Sequence, residues 1–353
     1  MNRKSSFSKF KSRPRTAVRL SNEDLVKTGS LPGADPAAKA YPLVFSPDAD
    51  HVNLTSWASS NRGLIKKKLH EHGTLLFRGF GLDSAEKFRE FAATVSPAQL
   101  DYKERAAPRR EVGKNVYTST EFPADQIIPM HHEMSYSHNW PTKLFFYCDI
   151  APGSGGRTPI TDDRELIDHI DPAIKEEFLA KKVMYVRNYG EGVDLPWQEA
   201  FQTEDRAEVE AYCAKAGATV EWKGENLMRT RTVRQVLATH PETGDTVWFN
   251  HAHMFHSSNL TPEVRSALQS EFAPDEMPRN AFFGDGTEIP DEVPQHIRQL
   301  YEDRAVRFTW EEGDVLLVDN FLSSHGREPF EGPRRILVSM AELYTCPDLE
   351  GGV

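Results

Sequence analysis

The stretch Met130-His131-His132-Glu133-Met134-Ser135-Tyr136 constrains the fold more than any other part of the chain. It sets two imidazoles and a carboxylate side by side, ahead of Lys143-Leu144-Phe145-Phe146-Tyr147-Cys148, an apolar run that reads as a strand. In an extended segment alternate side chains share a face, so His131 and Glu133 point one way and His132 the other. A His and a carboxylate two apart supply two of the three ligands of a non-haem iron(II) facial triad. The third should be a distant His, and His325 in Asn320-Phe321-Leu322-Ser323-Ser324-His325-Gly326-Arg327 is the candidate. One rival is a zinc peptidase, since His132-Glu133 begins an H-E-x-x-H motif, but Tyr136 stands where the second His belongs. The other rival is an ordinary solvated loop.

Bulk composition narrows the class. A chain of 353 residues, 39% hydrophobic and 27% charged, describes a soluble globular protein with room for a large core. No apolar run is long enough to span a membrane. A net charge of −11 offers no general field for a nucleic-acid backbone and fits an acidic enzyme with a small-molecule substrate. Cys148, Cys213 and Cys346 are scattered and odd in number, which argues against a disulfide framework and for a reducing cytoplasm.

The first nineteen residues hold seven Lys or Arg and no acid. Residues 1–40 therefore read as a disordered basic tail, with a transit peptide as the alternative, and 41–353 as a single domain. Asn61 to His72 has a helical period, Ser84 caps a second helix over Ala85 to Val95, and Val183 to Tyr189 reads as a strand. Tyr102 to Gln126 is polar, with little apolar period, and directly precedes the motif. Such a loop is often a lid or substrate wall, so Arg105, Arg109, Arg110, Asn115 and Tyr117 are candidate substrate contacts. His251 and His253 alternate as strand residues would; without a carboxylate on their face they fit a substrate cavity better than a metal. Many short strands, with helices early and in insertions, indicate a mainly β fold: a jelly-roll core (double-stranded β-helix) with α insertions and flanking helices.

Six blocks in order, Thr74–Phe80, Tyr117–Gln126, His131–Tyr136, Gly155–Asp162, Val247–His256 and Asp319–Arg335, resemble the taurine/2,4-D dioxygenase family of iron(II)- and 2-oxoglutarate-dependent oxygenases. The H-x-E form resembles its clavaminate-synthase-like and syringomycin-type branch. The resemblance implies that His131, Glu133 and His325 bind Fe(II), with 2-oxoglutarate and O2 as co-substrates. It implies that Arg335 grips the far carboxylate of 2-oxoglutarate, with Arg334 as the fallback, and that Thr158 donates to the same carboxylate. It also implies oxidation of a small molecule, most simply hydroxylation of an amino acid or natural-product intermediate, free or tethered to a carrier protein. The alternatives are a non-catalytic jelly-roll binding protein and a zinc hydrolase. One departure stands out: the arginine that taurine-type enzymes place four residues beyond the co-substrate arginine is here Ser339.

Overall fold

A computed structural model describes residues 25–100, 111–119, 122–190 and 194–347. Its centre is an eight-stranded sheet whose order, by residue range, is Val26–Gly29, Leu43–Pro47, Thr74–Phe77, Val315–Asp319, Asn139–Ile150, Arg335–Thr345, Val116–Thr118 and Glu111–Gly113. The central strands are apolar on both sides, and alternation sorts them into two cores. Leu75, Phe77, Phe145, Tyr147, Val315 and Leu317 face the helices Leu54–Ser60, Arg62–His72 and Ala85–Val95. Leu76, Leu144, Phe146, Leu316 and Val318 face the other way, together with Ile336, Val338 and Met340. Each such side chain contributes about 1.5–3 kcal/mol by leaving water, so the sheet is held equally from both sides.

Local sequence explains the helices. Ser84 Oγ accepts from the Lys87 amide at the start of Ala85–Val95, and Phe88, Phe91 and Ala92 form its buried stripe. Gly73, at φ 72°, ends Arg62–His72 in the left-handed region and lets the chain turn straight into Thr74–Phe77.

On the far side of the large sheet lies a three-stranded sheet, Ile128–His131, Ser323–Arg327 and Ile160–Asp162. A four-stranded insertion sheet runs Ala218–Lys223, Leu227–Arg234, Val183–Tyr189 and Arg279–Phe283. Tyr185, Ala281 and Phe283 join Met130, Trp248 and Tyr301 in one core, which seats the insertion against the strand carrying His131.

The fold is mainly β with helices added, as expected. Within the segment expected to be tail, Val26–Gly29 pairs antiparallel with Leu43–Pro47, and Leu25 and Val26 find apolar cover against the helix-side core; the first 24 residues lie outside the described ones. No helix among the described residues is long and apolar enough to cross a membrane.

Candidate metal centre

His131 ends its strand directly opposite His325, and the two rings lie 4.5 Å apart. Glu133 does not continue the strand. It opens a turn in which Met134 takes φ 61°, and the backbone there is held from outside. Asn320 Oδ1 accepts the Glu133 amide at 2.8 Å, while Asn320 Nδ2 donates to the carbonyls of Glu133 at 3.0 Å and Pro141 at 2.8 Å. One imidazole nitrogen from each histidine and a Glu133 oxygen lie within 4.8 Å of one another. The His131 ring is oriented by Nδ1 bonding the Pro129 carbonyl at 2.8 Å. A carbonyl only accepts, so Nδ1 carries the proton and Nε2 keeps its lone pair. Two imidazoles and one carboxylate on one side of a cavity suit a divalent metal such as iron(II).

His132 points away, as alternation requires. Its Nδ1 donates to the Asn320 carbonyl at 2.8 Å and its Nε2 faces Asp163 at 3.5 Å, both fully buried. It braces the motif against the segment that leads to His325.

The cavity beside the cluster is lined by Ser119, Phe146, Thr158, Arg327, Arg334, Ile336 and Val338. Arg335, the expected co-substrate arginine, is not among the residues lining this cavity. Arg335 is half exposed and pairs with Asp149 outside the cavity, whereas Arg334 lines it. The cause is strand phase: Arg334, Ile336 and Val338 share a face, and Arg335 belongs with Leu337 on the other. Arg334 Nε donates to the Gly156 carbonyl at 3.1 Å, and its stem lies where a Cβ on Gly156 would sit 3.1 Å away. Gly156 also takes φ 62°, so glycine is required there twice over. Burial, and then the neighbouring Arg327 charge, push the Arg334 pKa down to about 10. Arg327 donates to the carbonyls of Phe122, Pro123 and Gln126, pinning that loop to the rim. Thr158 Oγ accepts from the Trp310 indole N–H at 3.0 Å and therefore keeps its own proton to donate.

Other expected residues scatter. Arg105, Arg109 and Arg110 lie outside the described residues. Tyr117 pairs with Val338 across the sheet, near the cavity wall. Asn115 sits at a turn with φ 61°, its carbonyl accepting from Ser339 Oγ, and is not among the lining residues. His251 caps the short helix Ala252–Phe255, so the expected strand alternation of His251 and His253 does not occur. The His251 ring packs 5.6 Å from His131, with its Nδ1 bonded to Ser135 Oγ. His253 Nε2 bonds the Met130 carbonyl at 2.7 Å, which makes it a support of the motif strand. Burial drives both imidazoles toward the neutral form, His253 to a pKa of about 3. Asn320, Arg327 and Trp310 were missed, and nothing in their local sequence marks them.

A second cluster, His70, His240 and Asp319, also brings three ligand-type atoms within 4.8 Å. Its hydrogen bonds are incompatible with a metal. His240 Nδ1 accepts from the amides of Glu242 at 3.1 Å and Thr243 at 3.0 Å, so its proton is on Nε2 and goes to Asp319 at 3.2 Å. The other Asp319 oxygen accepts from the amides of Phe321 and Leu322. This is a structural brace.

The family model for the taurine catabolism dioxygenase TauD, TfdA family matches residues 38–341, and the chain belongs to that family. It is a non-haem enzyme that uses iron(II), 2-oxoglutarate and O2. It is 40% identical over 302 residues to the dapdiamide synthesis protein DdaC of Enterobacter agglomerans, covering 83% of this chain and 92% of that protein. It is 31% identical over 324 residues to a clavaminate synthase-like protein of Arabidopsis thaliana, covering 86% and 94%. In fold it is similar to the PvcB protein of Pseudomonas aeruginosa, with TM-score 0.52, 17% identity, and 95% and 98% of the two chains covered.

Proposed function

We propose that His131, Glu133 and His325 hold iron(II), that Arg334 and Thr158 hold the far carboxylate of 2-oxoglutarate, and that the enzyme hydroxylates an unactivated C–H of a small molecule in natural-product biosynthesis. The substrate class is an amino acid or an intermediate derived from one, free or presented on a carrier protein. The observation that carries the reading is one cavity with both groups on its lining: the three clustered ligand atoms, and a half-buried guanidinium with a hydroxyl donor. The likeness to a dapdiamide synthesis protein supports the biosynthetic setting. The large and three-stranded sheets are read as the two walls of a jelly roll around this cavity.

Iron(II) supplies the O2 activation that couples oxidative decarboxylation of 2-oxoglutarate to succinate and CO2 with oxidation of a substrate C–H. The chain's own residues do the positioning. The Arg334 fork matches a carboxylate with two parallel charge-assisted hydrogen bonds, which a lysine cannot reproduce. Arg327 adds a second cation in the same low-dielectric space, which suits a dianion. Thr158, locked by Trp310, presents its hydroxyl proton without a reorientation cost. Phe146, Ile336 and Val338 make the intervening wall apolar and exclude water.

Anaerobic titration of the iron(II) protein with 2-oxoglutarate tests the reading. A weak visible charge-transfer band is expected, followed by slow succinate release on admitting air. Protein with iron demonstrably bound that gives neither would sink it.

A further inference from the structure

Among the described residues that line the cavity, the cations are Arg327 and Arg334, and both are taken by the 2-oxoglutarate reading. With Arg334 as the co-substrate arginine, the position four residues on becomes Val338, an apolar lining residue, while Ser339 points away and bonds Gln99 and Asn115. A cation does stand on the opposite side of the metal cluster, in the insertion sheet.

Arg187 and Arg279 are direct cross-strand partners in that sheet. Like charges placed opposite each other destabilise a strand pair, so the arrangement calls for a reason. Asp194 bridges them, accepting from Arg187 Nε at 3.2 Å and Arg279 Nε at 3.1 Å. Burial raises the Asp194 carboxyl, but the two guanidiniums, Arg279 and then Arg187, outweigh it and hold it ionised below its ordinary range. Among the described residues, two cations against one anion leave one positive charge over. Arg187 is only 13% exposed, and its Nη2 is buried with no hydrogen-bond partner. Arg187 also lies over the Tyr189 ring, 4.6 Å from its centroid, a contact that uses the face of the guanidinium and leaves Nη2 without a hydrogen bond.

The pair looks toward the metal cluster. Tyr185, on the same strand face as Arg187, accepts the His251 amide at 2.6 Å and packs its ring on Phe255. The Arg279 guanidinium lies 5.9 Å from the Phe255 ring, Phe255 lies 5.4 Å from His251, and His251 lies 5.6 Å from His131. Tyr136 stacks on Phe255 beside them. An aromatic wall thus runs from the arginine pair to the first metal-ligand candidate.

We propose that Arg187 and Arg279 form the anchor for a carboxylate of the prime substrate, which lies along Phe255, Tyr136 and His251 with its reacting carbon at the metal. This rests on the proposed metal and co-substrate sites for its function, though not for its binding test. The net single charge fits a carboxylate and not a phosphate dianion. The separation of two rings selects a substrate extended beyond its carboxylate, such as an N-acylated amino acid. A substrate whose carboxyl is masked as an ester, amide or carrier thioester loses this contact, so the anchored substrate is a free acid at that end.

Calorimetric titration of metal-free protein with the N-acetyl forms of the common amino acids, each paired with its carboxamide, tests this. At least one free acid is expected to bind one to one, roughly ten- to a hundredfold more tightly than its carboxamide. Arg187→Gln and Arg279→Gln should each erase that difference, whereas Arg334→Ala should leave it. Arg279→Lys preserves the charge that neutralises Asp194, so it is the variant expected to fold like the parent, and it should bind several-fold more weakly for want of the fork. Free acids that never outbind their carboxamides, selectivity indifferent to Arg187 and Arg279, or inorganic phosphate binding there more tightly than every acid would each overturn the proposal. The visible band of the iron and 2-oxoglutarate complex, read in the same variants, should be unchanged; its loss in the parent protein would count against the metal reading and not against this one.

Discussion

His131, Glu133 and His325 and, elsewhere in the chain, His70, His240 and Asp319 each join two histidines to one carboxylate, with ligand-type atoms within 4.8 Å of one another in each set. Their hydrogen bonds separate them. In the first set the supports reach the backbone, through Pro129 to His131 and through Asn320 to Glu133, and the side-chain ends converge beside a cavity. In the second the ring and the carboxylate bond each other, and two amides occupy the remaining imidazole nitrogen. A metal site is therefore recognised by what its ligands are bonded to, and only secondarily by which residues cluster.

The largest expected effect is at Glu133. Glu133→Ala should lose retained iron, by more than the roughly 10–100-fold that an outer partner of a metal ligand is worth, and oxidation with it. Metal analysis after gel filtration decides this, and a variant that keeps one iron per chain removes Glu133 from the set. Next comes Arg334→Ala. Losing a buried charge-assisted pair costs about 2–5 kcal/mol, so 2-oxoglutarate should bind some 30-fold to several thousandfold more weakly while iron is retained. Arg335→Ala should stay within about 1 kcal/mol of wild type, because its ion pair is half exposed. Equal losses in the two would return the assignment to an open question of phase.

Asn320→Ala should weaken iron roughly 10–100-fold, because the Glu133 turn loses its clamp although every ligand remains. Unchanged iron affinity would mean that the turn holds itself. The smallest effect on metal is expected at His240→Phe: iron stoichiometry should not move. Thermal or denaturant unfolding should register a loss of about 1–3 kcal/mol from leaving Asp319 without its partner. A drop in bound iron there would make the second cluster a metal site after all.

The elements most legible in the sequence were those whose two faces differ. Phe88, Phe91 and Ala92 on one side of Ala85–Val95, and Ser84 ahead of it, carry the helix and its start in their spacing. Which arginine faces the cavity was not legible, for the opposite reason. Ile336, Leu337, Val338, Ser339 and Met340 are all buried, so hydrophobicity carries no phase along that strand. The register shift at Arg335, which passes over Asp149 on the neighbouring strand, adds a further ambiguity that only coordinates resolve. The cluster itself was legible because its residue types are chemically rare together. Its supports were not, since Asn320 acts across the fold on a residue it does not adjoin in sequence.

The order of strands in the large sheet has a consequence for the birth of the molecule. Val315–Asp319 lies between Thr74–Phe77 and Asn139–Ile150, so a strand from the last part of the chain occupies the middle of a sheet begun near its start. During vectorial synthesis the earlier strands emerge with a gap between them, and the His131–Glu133 turn emerges without Asn320 or His325. The nascent polypeptide cannot assemble this cluster, or fill the gap between the two earlier strands, until the late segment has emerged. A metal held by His131, Glu133 and His325 would load only after the segment carrying Asn320 and His325 had emerged and folded.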